Sequence, residues 1–89
     1  MLAALGRLER GDRGLELARD AVAVHEGSPA RLELARALVD VGSRLRRGGQ
    51  RADSREPLRR GLELANACAA TPLEEEALAQ LAQALSART

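Results

Sequence analysis

The fold is decided by residues 30–70, ARLELARALVDVGSRLRRGGQRADSREPLRRGLELANACAA, which are predicted to form two helices joined by a turn at 48–50. Apolar residues recur on both halves at steps of four, three and four, namely Leu34, Leu38, Val41 and Leu45, then Leu58, Leu62, Ala65 and Ala69. This spacing is typical of helices that each bury one face. The stretch therefore predicts an antiparallel helix pair.

Composition favours an all-α chain. The 89 residues include no Phe, Tyr, Trp or Ile, so the core must consist of Leu, Val and Ala. Aromatic and β-branched residues populate strands, whereas Leu, Ala, Arg and Glu favour helices. A chain of this length makes one domain at most and buries a modest core.

Charge and targeting signals exclude several classes of function. The net charge is +1, from 14 basic residues, all of them Arg, and 13 acidic ones, which gives no basic excess for nucleic-acid binding. The one cysteine, Cys68, cannot form a disulfide within the chain, as fits a reducing cytosol. No signal-peptide cleavage site is recognisable, and no stretch approaches the roughly 18 apolar residues of a membrane span. We therefore expect a cytoplasmic protein without membrane contact.

The chain as a whole, residues 1–89, is predicted to form one unit of about five helices, at approximately 1–10, 12–26, 29–47, 51–69 and 72–87. Gly11 is expected to separate the first two helices, with Asp12 capping the second. Pro57 removes one backbone hydrogen bond inside the fourth helix, so it predicts a kink there without a break.

Two helix starts have strong signals. Ser28-Pro29 and Thr71-Pro72 each place a capping residue before a Pro, which has no N–H to leave unpaired in a first turn. Glu74 completes a capping box with Thr71. Glu74, Glu75 and Glu76 are interpreted as charges that stabilise a helix start rather than as a metal site.

An internal repeat is visible at a spacing of about 40 residues. This shift places Leu38, Val41 and Leu45 on Leu78, Leu81 and Leu85, within a predicted last stripe of Ala77, Leu78, Leu81, Ala82 and Leu85. It also relates Ala21, Val22 and Val24 to Gly61, Leu62 and Leu64. Helix pairs repeating at such a spacing predict a short α-solenoid of stacked antiparallel pairs.

The second unit resembles the tetratricopeptide (TPR) pattern. The resemblance rests on Val41-Gly42-x-x-Leu45, Gly49, Ser54, Leu58 and Gly61, with Leu45 where an aromatic is usual and Gly61 where Ala is usual. Residues 28–70, including Arg55-Glu56-Pro57-Leu58, are more specifically similar to the last repeats of the helical arm in large ATP-binding regulators of the LuxR family. In that family the arm lies between an ATPase and a helix-turn-helix DNA-binding domain and relays signals through protein contacts.

The sequence departs from that family at its two active domains. It has no Gly-x4-Gly-Lys-Ser/Thr phosphate loop, and we expect neither ATPase nor DNA-binding activity from this chain. The resemblance implies a truncated or separately encoded part of the arm. We expect no enzyme activity, cofactor or metal, because His25 and Cys68 lack partner residues for a metal site or a catalytic triad.

Two candidate interaction surfaces remain. Leu2, Leu5 and Leu8 share one side of the first helix and are expected to leave apolar surface open to a partner. Arg47, Arg51 and Arg55 belong to an arginine cluster that also contains Arg44, Arg46, Arg59 and Arg60. A solvated helix surface is the preferred interpretation of this cluster, and phosphate binding is the alternative.

Three hypotheses follow for function. The first is a non-catalytic interaction segment from a LuxR-family regulator arm. The second is a free-standing TPR-like adaptor that binds a partner peptide or self-associates. The third is a small DNA-associated regulator that uses the arginine cluster.

Overall fold

The computed structural model describes the backbone of residues 2–86 and the side chains of residues 13–86. This part of the chain forms four helices and no strand: α1 (Leu2–Glu26), α2 (Arg31–Arg47), α3 (Arg51–Ala67) and α4 (Thr71–Leu85). The all-α prediction is confirmed. None of these helices is long and apolar enough to cross a membrane.

The predicted number of five helices is wrong, because α1 continues through Gly11 and Asp12. A single glycine inside a helix costs only about 1 kcal/mol relative to alanine, whereas ending the helix there requires a new nucleus to form. The Leu, Arg and Glu residues around Gly11 all favour the helix, so one long helix replaces the two predicted ones.

The turns after α2 and α3 have the same geometry. In the first, the Gln50 N–H donates to the Leu45 carbonyl at 2.8 Å and the Gly49 N–H to the Arg46 carbonyl at 3.1 Å. In the second, the Ala70 N–H donates to the Ala65 carbonyl at 2.9 Å, and the Ala69 N–H to the Asn66 carbonyl at 3.0 Å. Both turns are therefore Schellman motifs, which satisfy the last carbonyls of a helix.

The three helices after α1 start at regular positions. Helices α2, α3 and α4 begin at Arg31, Arg51 and Thr71, so the three starts are equally spaced along the chain. The residues before α2 and α4 are Ala30 and Ala70, and neither provides a side-chain cap. The backbone turn, rather than a capping side chain, sets where α4 begins.

The predicted caps are consequently shifted. The Ser28 hydroxyl donates to the His25 carbonyl at 3.3 Å and accepts from the Ala30 N–H at 3.1 Å, so it holds the turn between α1 and α2. Thr71 is the first helical residue of α4, and its capping box does not form. The Glu74 carboxylate instead accepts a hydrogen bond from Asn66 Nδ2 at 2.8 Å, which links α4 to the end of α3.

The closest helix contact is between α2 and α3. Gly42 faces Leu58, and a Cβ added to Gly42 would overlap the Leu58 side chain, lying 2.6 Å from its Cδ2. A Cβ added to Gly61 would lie 2.8 Å from Val39 Cγ2 and 3.3 Å from the Ala35 carbonyl. Glycine is therefore required on both helices at their crossing, and Gly61 lets α3 approach the α2 backbone.

The core forms two clusters on opposite sides of α2. One contains Val39, Leu58, Ala77 and Ala84, with half-buried Leu62, Leu73 and Leu81 packed against it, and joins α2, α3 and α4. The other contains Ala18, Val41 and Leu45, with half-buried Leu15 and Val22, and joins α1 to α2. The predicted α2 stripe is confirmed, because all four of its residues are buried.

The predicted stripes of the other helices are correct only in part. Ala69 lies exposed in the turn after α3 with φ 57°, not on a buried face. Leu78, Ala82 and Leu85 of α4 are exposed, and Ala84 is buried in their place. Helix α3 continues unbroken through Pro57, as predicted, and its kink stays a prediction.

Candidate interaction surfaces

The first predicted surface lies where only the backbone is described. Leu2, Leu5 and Leu8 belong to the first turns of α1, and their side chains lie outside the described residues. Their role as an open apolar surface stays a prediction. The described part of α1, from residue 13 onward, has its own exposed apolar residues.

The arginines of the second predicted surface differ in their surroundings. Arg47 is exposed and bonds back to its own helix, with Nη2 donating to the Ser43 hydroxyl at 2.9 Å. Arg51 and Arg55 are half-buried one turn apart on α3. Arg51 lines a cleft of about 390 Å³ with Arg46, Ala82, Gln83 and Ser86. The Arg55 Nε is buried and has no hydrogen-bond partner among the described residues.

The neighbouring arginines are held by acidic or amide groups. Arg44 pairs with Asp40 at 3.0 Å, Arg59 with Glu56 at 3.2 Å and Arg60 with Glu26 at 2.8 Å, all at exposed positions. The Arg46 Nε donates to Gln80 Oε1 at 2.8 Å and so connects α2 to α4. Carboxylates thus offset part of the positive charge of the cluster, which agrees with a solvated surface more than with a phosphate site.

Four large apolar side chains are exposed on the two outer helices. Leu17 and Val24 of α1 are 62% and 68% exposed, and Leu78 and Leu85 of α4 are 51% and 56% exposed. The members of each pair are two helical turns apart, so they lie on one side of their helix. Sequence periodicity assigned the α4 pair to the core, because periodicity shows that a helix has an apolar face but not whether another helix covers it.

The groups considered for chemistry do not form a site. No cluster of three or more His, Cys, Asp or Glu residues that could hold a metal occurs in the described part of the chain. Cys68 is half-buried at the end of α3. A cleft of about 350 Å³ between α1, α2 and α3 contains Glu26 and Glu63 beside Arg31 and Arg60, so its charges oppose one another within the cleft.

Comparison with protein-family models, with curated proteins and with solved structures found no match to this chain. The likeness to LuxR-family regulators therefore stays a prediction from the sequence. A function can therefore be inferred only from the packing of the helices and from the exposed surfaces of α1 and α4.

Proposed function

We propose that this chain is a non-catalytic, TPR-like helical-repeat segment that binds protein, equivalent to part of the interaction arm of a LuxR-family regulator. The regular helix starts support this proposal. Three successive helices begin at equal intervals along the chain, and two of them follow the same turn. A repeated helix-turn unit is how solenoid proteins build extended surfaces for partners.

The packing order also supports a repeat. Helix α4 packs on α3 and reaches α2 through the Arg46–Gln80 hydrogen bond, while α1 packs on α2. In stacked helix pairs, the first helix of each pair contacts both helices of the pair before it. Helices α2 and α3 fit the role of one pair, and α4 fits the role of the first helix of the next.

The observation that carries the proposed function is the exposed apolar surface on α1 and α4. Leu17, Val24, Leu78 and Leu85 are each more than half exposed. Fully covering one such side chain is worth about 1.5–3 kcal/mol relative to leaving it in water. Leu17 and Val24 lie on one side of α1, and Leu78 and Leu85 lie on one side of α4, so a partner that covers either pair would gain energy that the isolated chain leaves unused.

Site-specific photo-cross-linking in the source cells tests this function. A benzophenone amino acid at Leu78 or at Val24 is expected to cross-link to a polypeptide that mass spectrometry identifies. The matched control is the same amino acid at Arg36, an exposed position of α2. Cross-links absent from both Leu78 and Val24, or equally frequent at Arg36, would refute a protein-binding role for these surfaces.

The relation to LuxR-family regulators has a separate test. Reading the coding sequence on both sides of this chain is expected to reveal an ATPase domain upstream and a helix-turn-helix domain downstream, in frame or across a frameshift. Unrelated neighbouring sequence would remove the LuxR part of the proposal and leave the protein-binding part unaffected.

A further inference from the structure

Helices α2 and α4 are related by the spacing of the internal repeat. This shift places Arg31, the first residue of α2, on Thr71, the first residue of α4. The shift relates six positions that are buried in α2 to six that are exposed in α4. In α2 they are Ala35, Leu38, Val39, Gly42, Ser43 and Leu45; in α4 they are Glu75, Leu78, Ala79, Ala82, Gln83 and Leu85. We call this set of α4 residues the α4 open face. Its exposure shows where the repeat lacks a neighbouring helix.

Helix α3 identifies what kind of neighbour is lacking. It packs on the part of that face formed by Ala35, Val39 and Gly42, with Leu58 against Gly42 and Gly61 against Val39, whereas Leu45 packs against α1. A helix that covers the α4 open face in the same way must present a small residue at the position equivalent to Gly61. It must also present apolar residues one turn to either side of that position.

Helix α1 has these properties. The same shift relates Ala21 to Gly61 and Val24 to Leu64. Leu17 precedes Ala21 by one helical turn and Val24 follows it by one turn, so the three residues share one side of α1. Leu17 and Val24 are exposed and Ala21 is half-buried, and we call these three residues the α1 stripe.

The sizes of the residues at the crossing points match as well. Within the chain, Gly61 faces the branched Val39, and a methyl group at position 61 would come within 2.8 Å of Val39 Cγ2. Between α1 and α4 the equivalent residues are Ala21 and Ala79, and Ala79 has no Cγ to collide with a methyl group. The backbone atoms equivalent to the Ala35 carbonyl and the Val39 N, each 3.3 Å from a Cβ at position 61, remain, so α1 must lie a few tenths of an ångström farther from α4 than α3 lies from α2.

The second crossing point shows the same exchange. Within the chain, Gly42 faces Leu58, and a methyl group at position 42 would overlap the Leu58 side chain. The equivalent residues in α4 and α1 are Ala82 and Ala18. Ala18 is buried against α2. Because its side chain ends at Cβ, it has no further atoms, as Leu58 has, that would collide with the methyl group of Ala82. Both glycine–branched pairs are thus replaced by alanine–alanine pairs, which preserves a close approach.

We propose that the chain associates head to tail, with the α4 open face of one copy packed on the α1 stripe of a second copy. This contact reproduces the α2–α3 contact between two molecules, and it rests on the proposed protein-binding function. The two surfaces differ, so the interface is heterologous and each copy keeps one free surface for another copy. Association therefore extends the helical stack instead of stopping at a symmetric dimer.

Two double variants of the full chain test this directly. Leu17→Glu/Val24→Glu disrupts the α1 stripe, and Leu78→Glu/Leu85→Glu disrupts the α4 open face. All four residues are exposed, so both variants are expected to fold, which circular dichroism and thermal denaturation check. Ala23→Glu, at an exposed position on another side of α1, and Thr71→Glu, at an exposed α4 position whose α2 equivalent, Arg31, is also exposed, are the matched controls.

Sedimentation velocity at chain concentrations from about 5 to about 500 µM measures the mass of the associated species. The range extends to high concentration because interfaces below the standard size associate weakly. The wild type and the controls are expected to grow in mass with concentration, whereas each double variant alone stays at 9.5 kDa. An equimolar mixture of the two double variants is expected to form a heterodimer of twice that mass. Each variant supplies the intact surface that the other lacks.

Three results would overturn head-to-tail association. They are a monomeric wild type, a mixture without heterodimer, or a Leu17→Glu/Val24→Glu variant that dimerises alone, which would indicate a symmetric α4–α4 contact. The photo-cross-linking experiment separates this failure from failure of the proposed function. Cross-links from Leu78 to a different protein would refute self-association while supporting protein binding.

Discussion

Replacing Ala69 with glycine is expected to stabilise the chain. Ala69 has φ 57°, and Gly49, at the equivalent position of the turn after α2, has φ 87° with the same two hydrogen bonds around it. A side chain in this left-handed conformation costs about 1–2 kcal/mol. Glycine avoids that cost but loses about 0.5–1 kcal/mol more backbone entropy on folding. The difference predicts that Ala69→Gly raises the free energy of unfolding by about 0.5–1 kcal/mol.

Urea and thermal denaturation followed by far-UV circular dichroism measure this change. For a domain of this size the stabilisation corresponds to a rise in Tm of about 2–8 °C. The reverse substitution, Gly49→Ala, is the matched control and is expected to cost about 1 kcal/mol. No atom outside the local chain lies within 4 Å of a Cβ added at Gly49, so that cost reports backbone conformation alone. An unchanged or lower stability for Ala69→Gly, together with a destabilised Gly49→Ala, would refute the equivalence of the two turns.

Other substitutions test the packing and the charges. Gly42→Ala and Gly61→Ala are each expected to lower the free energy of unfolding by about 1–3 kcal/mol through overpacking, measured by urea denaturation. A Cβ added at Gly27 meets no atom within 4 Å, so Gly27→Ala should change the free energy of unfolding by less than about 0.5 kcal/mol. Equal effects at the three glycines would contradict the close α2–α3 crossing. Pro57→Ala is expected to stabilise by about 1–3 kcal/mol because it restores a backbone hydrogen bond inside α3, and a loss of stability would show that the Pro57 ring contributes more by packing. Raising the salt concentration from about 0.05 to about 1 M should change the free energy of unfolding by less than about 1 kcal/mol, since the three ion pairs of the described residues are exposed, and a larger loss would assign them a structural role.

The central helix pair could be predicted well from sequence. The period of apolar residues marked the buried side of α2, and Gly48-Gly49 marked the turn after it. Both signals are local, because each depends on residues within one or two helical turns. The repeat in the sequence agrees with the equal spacing of the starts of α2, α3 and α4.

The errors arose where local signals compete with backbone or tertiary effects. Gly11 resembled a helix end, but the residues on both sides favour one helix strongly enough to continue through it. Thr71 resembled a cap, but the Schellman turn at Ala69 starts α4 at Thr71 itself. A backbone turn closed by alanine in place of glycine has no distinctive sequence signal, so this shift could not be predicted.

The candidate surfaces were the least predictable feature. Leu78 and Leu85 have the same spacing as Leu38 and Leu45, yet the first pair is exposed and the second is buried. Sequence periodicity is identical in the two cases, and only the presence of a covering helix distinguishes them. The same limit applied to Gly61, whose close contact with Val39 depends on how α3 crosses α2.

Head-to-tail association requires that α1 and α4 are the two halves of a contact that α2 and α3 make within the chain. Disulfide trapping between Ala21→Cys and Ala79→Cys, each with Cys68→Ser, tests this most directly. These positions are equivalent to Gly61 and Val39, which meet at the α2–α3 crossing, so the two thiols are expected to lie within reach of a disulfide. If the chain associates head to tail, mild oxidation of the mixed variants is expected to give a cross-linked dimer of twice 9.5 kDa. Little product is expected when Ala23→Cys replaces Ala21→Cys. No cross-link, or equal cross-linking from position 23, would contradict head-to-tail association.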